Sequence, residues 1–127
     1  MSTSYAKELE AAEKAALRAG EMLRADFYRK NGARGHGYDA DVDIEVEREI
    51  RKILLEIHPS WGYRGEETGE IQGTDEEGHR WLVDPNDGTS AYLKGYRGSA
   101  VSIALVRDES KVRTRRCLFL WYTARYN

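Results

Sequence analysis

A single cysteine, Cys117, leaves the chain without the means to form an internal disulfide. No apolar run approaches the length that spans a bilayer, and no signal-like apolar segment follows a basic start, so a cytoplasmic location is expected. Charge of either sign is not in excess: 20 Lys and Arg stand against 22 Asp and Glu, a formal net charge of −2. That balance argues against a nucleic-acid or membrane surface and leaves small-molecule chemistry open. With 127 residues the chain is long enough for one small domain and too short to expect two.

Helical patterning comes first along the chain. Leu9, Ala12, Ala16, Ala19, Leu23 and Phe27 recur at three- and four-residue steps, which predicts one amphipathic helix over residues 4–29. Gly20 inside it costs about 1 kcal/mol against alanine, so a bend or a close backbone neighbour is expected there. The Gly-rich stretch 30–43 reads as a mobile connection, and its glycines lack the spacing of a dinucleotide loop. A second helix is expected from about Asp43, striped by Val46, Ile50, Ile53, Leu54 and Ile57. It should end at His58-Pro59, because proline pushes its predecessor out of helical conformation. Beyond it, "WGYRGEETG" predicts a short strand running into a turn with Glu66 and Glu67, and residues 70–79 an acidic surface loop. "RWLVD" predicts a buried strand, and residues 99–106 a strand packed on both faces.

The segment "WLVDPNDGTSAYLKG", residues 81–95, carries the chemistry. Asp84 stands at the end of an apolar strand, Pro85 fixes the backbone direction, and Asp87 is expected to return towards Asp84 across a tight turn. Two carboxylates held close repel unless a proton or a cation lies between them. A hard divalent cation such as magnesium answers that need with carboxylate and carbonyl oxygens. Gly88 and Thr89 would open a short helix whose N–H groups face the same place, a cradle for phosphate. Each signal has a plainer reading: "DPNDG" is also a strong β-turn, paired acids in "GEE" are often solvated, and Asp43 is most simply an N-cap.

The order of these signals is more telling than any one of them. Asp43 opening the second helix, "GEE" at 65–67 and "WLVDPNDGT" at 81–89 together resemble the inositol monophosphatase family of metal-dependent sugar-phosphate phosphatases. The family signature here is W-x-x-D-P-[hydrophobic]-D-G-T, and only Asn86, at the variable position, departs from the usual aliphatic residue. The resemblance implies an α+β fold, the N-terminal half of a layered α/β/α/β/α sugar-phosphatase architecture, with two long helices on a largely antiparallel sheet. It implies that Glu66 and Asp84 bind a first magnesium with the backbone carbonyl of Asn86, and that Asp84 and Asp87 share a second. Thr89, helped by Asp43, would activate the attacking water, with Glu66 also in the catalytic set, and Gly88 and Thr89 would hold the phosphate through backbone N–H groups. The substrate implied is a small phosphorylated molecule, an inositol phosphate or related sugar phosphate, and a homodimer is left open.

The C-terminal segment departs from the family. Members are about twice this length and supply a further aspartate from a W-D-x-A-A-G motif, which is not found here. Residues 1–108 are thus expected to form the metal-binding half and 109–127 a divergent tail, with activity impaired. Reading the codons of Trp121 to Arg125 two bases later can spell Val-Tyr-Ser-Pro, close to the family's continuation, so a displaced reading frame is one expectation for the tail. Its apolar residues Leu118 to Trp121 are expected to cover the sheet edge as a makeshift strand. Two other readings stand beside the enzyme: a non-catalytic remnant acting as a metal- or phosphate-binding or assembly module, and an interaction protein using its first helix. His36, His58 and His79 lack metal-ligand spacing, Cys117 has no paired histidine, and Lys94 and Arg97 read as solvated.

Overall fold

The computed structural model describes residues 4–36, 39–95, 100–109 and 114–125. Helix α1 (Ala6–Phe27) and helix α2 (Asp41–Ile57) pack on each other and on one face of a five-stranded sheet. Among the described residues, no helix is long and apolar enough to cross a membrane.

Alanines 11, 12, 15, 16 and 19 line the buried face of α1, so its backbone comes close to its neighbours at little entropic cost. Gly20 leaves the helix unbroken. The expected stripe is corrected at its start: Leu9 is 44% exposed, and the buried position there is Glu8, whose carboxylate meets the His58 ring. The other end of the stripe is also polar, for Asp26 is buried and takes an ion pair from Arg34 at 2.7 Å.

That ion pair bears on the connection to α2. Strands β1 (Gly35–His36) and β2 (Asp39–Ala40) form a short antiparallel pair, and Arg34 bridges Asp26 of α1 to Glu45 of α2. The stretch expected to be mobile is therefore anchored at both helices. Helix α2 begins two residues earlier than expected, with Ala40 as N-cap, so Asp43 is no cap but a buried residue of the first turn.

Strand β3 (Gly62–Gly65) turns through residues 66–68 into β4 (Gly69–Ile71), within what had read as loop. Strand β5 (His79–Asp87) lies parallel to β3 and antiparallel to β6 (Ala100–Glu109), which pairs with β7 (Thr114–Arg125). The order is β4-β3-β5-β6-β7, mostly antiparallel as expected. Residues 114–125 do run along the β6 edge as a strand, while their side chains, with Cys117 and Leu118–Trp121, lie outside the described set, as does Arg97.

Trp81 and Val83 of β5 and Val101, Ile103 and Leu105 of β6 face the helices and meet Val46, Ile50 and Leu54 of α2 in one core. Full burial of each large side chain contributes about 2 kcal/mol. Between β5 and β6 the last helical element, α3 (Thr89–Leu93), is tied to α1 by the buried Tyr92, whose hydroxyl lies 2.7 Å from Asp26.

Candidate functional site

The expected tight turn at Asp84–Asp87 is instead a bulged strand. Asp84 pairs with Ser102 and Asp87 with Ala100, so three residue steps on β5 match two on β6. In a regular strand, residues three apart face opposite sides; one extra residue brings Asp84 and Asp87 to the same side. The sequence places two aspartates three apart, and the bulge makes that spacing useful. The backbone N–H of Asn86 donates to the Asp84 carboxylate at 3.1 Å and steadies the kink.

Gly88 follows with φ of 101°, a left-handed conformation that glycine adopts without penalty, and it caps α3. Thr89 is thereby turned inward. Its hydroxyl lies 2.9 Å from both Asp43 Oδ2 and the carbonyl oxygen of Asn86. The side-chain amide of Asn86 donates to the other Asp43 oxygen at 3.0 Å, which closes a ring of contacts between α2 and the end of β5. Burial pushes the Asp43 carboxyl up, against the bonds from Asn86 and Thr89 that pull it down. The result is a stronger proton acceptor than an ordinary aspartate.

Glu66 approaches from β3. The parallel register sets Gly65 beside Val83, and the N–H of Glu66 donates to the Val83 carbonyl at 3.3 Å, so Glu66 arrives next to Asp84. Burial, then the adjoining Glu66 carboxyl, push Asp84 up to about 6, with Asp87 adding to the repulsion. An open cleft of about 530 Å³ adjoins the pair, lined also by Arg64, Leu82, Ser102 and Ala104. A crowded, oxygen-only donor set of this kind suits a hard divalent cation. Among the described residues no group of three or more His, Cys, Asp or Glu is gathered to hold a metal ion. The Glu66–Asp84 pair opens onto the cleft.

The structure brings Asp43, Asn86 and Thr89 into direct contact and sets the Glu66 carboxyl against Asp84, with Asp87 near enough to Asp84 to repel it; Lys94 is exposed at the end of α3. His36 is exposed, while His58 and His79 stack on Trp61 at 3.8 and 4.1 Å between ring centroids, at the opposite end of β5 from the acids. Glu47 escaped the sequence reading. It is fully buried on α2 and accepts the N–H groups of Glu67 and Thr68 at 2.8 and 2.6 Å. The signal was available: Asp43, Glu47, Ile50 and Leu54 share one helix face, so two acids stand within an apolar stripe.

Comparison with known proteins places the fold. The model of the inositol monophosphatase family matches residues 4–113. An inositol-1-monophosphatase of Rhizobium meliloti is 39% identical over 99 residues, 74% of this chain and 37% of that protein. A protein of Xylella fastidiosa named Nus factor SuhB is 47% identical over 73 residues, 56% of this chain and 25% of that protein. The crystal structure of the extragenic suppressor protein suhB from Bartonella henselae superposes with a TM-score of 0.70 at 30% identity, over 94% of this chain and 48% of that one. The chain therefore spans less than half the length of these relatives, and it belongs to the inositol monophosphatase family.

Proposed function

We propose that this chain carries the ion- and phosphate-handling side of a magnesium-dependent phosphomonoester hydrolase acting on an inositol phosphate or related sugar phosphate. The observation that carries the reading is the Thr89 hydroxyl, held 2.9 Å from a buried carboxylate, beside a pair of mutually repelling acids. Magnesium bound by Glu66, Asp84 and Asp87, with the Asn86 carbonyl, would supply Lewis acidity and neutralise phosphate charge.

The chain's own groups account for the proton path. A hydroxyl has one proton and two lone pairs. With its proton directed at Asp43, Thr89 offers lone pairs to an incoming water. As that water loses a proton to Thr89 Oγ1, the threonine proton passes to Asp43, whose raised proton affinity favours the transfer. Asn86 holds the carboxylate in place throughout, and the backbone N–H groups of Gly88 and Thr89 would orient the phosphate.

The test is release of inorganic phosphate from inositol phosphate and sugar phosphates by the purified chain, with and without magnesium. Magnesium-dependent release abolished by Asp84→Asn supports the reading. Release that persists in excess chelator overturns it. Saturable magnesium binding without turnover favours a second reading, a non-catalytic metal- or phosphate-binding module.

A further inference from the structure

We infer that Glu47 is the positioning residue for Glu66, holding the turn that presents its carboxylate to Asp84; this rests on the proposed reading of Glu66 as an ion ligand. Glu47 lies one helical turn beyond Asp43 on α2 and is fully buried. A buried carboxylate is costly unless donors satisfy it. Here the donors are the N–H of Glu67, the N–H of Thr68 and the Thr68 hydroxyl, all from one turn.

The residue before Glu66 leaves the same carboxylate its space. A Cβ at Gly65 would collide with the Glu47 carboxyl, so a side chain there would displace the carboxylate from its present seat on the turn. Glu47 therefore fixes the backbone just after Glu66 by hydrogen bonds at 67 and 68, and fills the space that a side chain at 65 would enter. The N–H of Glu66 itself is taken by Val83. With its backbone so restrained, Glu66 is held where its carboxyl reaches Asp84.

Helix α2 thus serves both halves of the site from one face. Asp43 holds the Asn86–Thr89 segment and Glu47 holds the Glu66 turn, so the distance between proton acceptor and ion ligands is set by one rigid turn of helix.

Manganese affinity of the full chain, measured by titration calorimetry at low temperature, tests the inference together with amide exchange at Glu67 and Thr68. Glu47→Gln should stay folded, lose exchange protection at those two amides and bind manganese about tenfold more weakly. Thr68→Val should weaken binding in the same direction and Thr68→Ser should restore it, a rescue that a merely structural role would not produce. Should Glu47→Gln fail to fold, the Thr68 pair decides alone. Wild-type manganese affinity in a folded Glu47→Gln, or in Thr68→Val, while Glu66→Gln binds weakly, overturns the positioning role. Wild-type affinity in Glu66→Gln overturns instead the reading of Glu66 as a ligand.

Discussion

The side-chain amide of Asn86 donates to Asp43 at 3.0 Å, inside the protein. From sequence alone Asn86→Ile should be tolerated, because the position would meet magnesium through its backbone oxygen. The buried contact changes the expectation for stability: isoleucine leaves a carboxylate oxygen without its donor, at a cost of about 1–3 kcal/mol. Thermal denaturation should show a midpoint lower by several degrees, with magnesium dependence retained. An unchanged midpoint would mean that Asp43 does not depend on the amide.

Thr89 separates chemistry from packing. Thr89→Val keeps the shape and removes the hydroxyl that links Asp43 to water, so phosphate release should fall by about 10²–10⁴-fold. Thr89→Ser keeps the hydroxyl and should keep most of the rate. Equal losses in both variants would assign the role to the methyl group and remove Thr89 from the proton path.

Asp84 makes stability depend on pH. Its carboxyl is raised to about 6 by burial, then by Glu66 and Asp87. Between about pH 4 and 6 the folded chain holds a proton that the unfolded chain has released, so without divalent cation its contribution to stability falls as pH rises through that window. Asp75 acts in the opposite direction. Burial raises it, but the backbone N–H and ring of His79 outweigh that effect and hold it below the ordinary range, so its contribution is lost as pH falls below about 4. In chelator at pH 7, Asp84→Asn should melt higher by on the order of 1 kcal/mol after solvent screening, and magnesium should no longer raise its midpoint. A variant that melts lower in chelator would contradict the crowding of these acids.

Gly88 tests the entry to α3. At φ of 101°, alanine is strained by about 1–2 kcal/mol. Gly88→Ala should lower the melting midpoint and, by shifting Thr89 off Asp43, lower phosphate release further than stability alone accounts for. Wild-type activity in the variant would show that the Thr89 placement does not depend on this cap.

Much of this arrangement was legible in the sequence, and the exceptions share a cause. The apolar spacing of α1 and α2, the buried strands and the order Asp43, Glu66, Asp84, Asp87, Thr89 could all be read along the chain, since each depends on near neighbours. Glu8 and Asp26 could not, because an acid on a helix reads as solvated until a distant partner is known, here His58, and Arg34 with Tyr92; Glu47 left a trace in the apolar stripe of α2, but its partner Thr68 left none. The bulge was hidden for the same reason: "DPND" is a turn by local preference, and only the pairing partners Ser102 and Ala100 reveal an extra residue in a strand. Asp43 looked like a cap because its true partners are more than forty residues away.

The bulge also divides the ways in which this segment can vary. A substitution at Pro85 or Asn86 alters one contact and leaves Asp84 and Asp87 opposite Ser102 and Ala100. Removing one of those residues restores ordinary pairing and leaves the two carboxylates two apart on one face, but it takes away the kink that sets the Asn86 amide on Asp43 and the Asn86 carbonyl on the Thr89 hydroxyl. The length of "DPND" is therefore the constrained quantity, and a survey of tolerated variants should find exchanges at Asn86 and no deletions between Asp84 and Asp87.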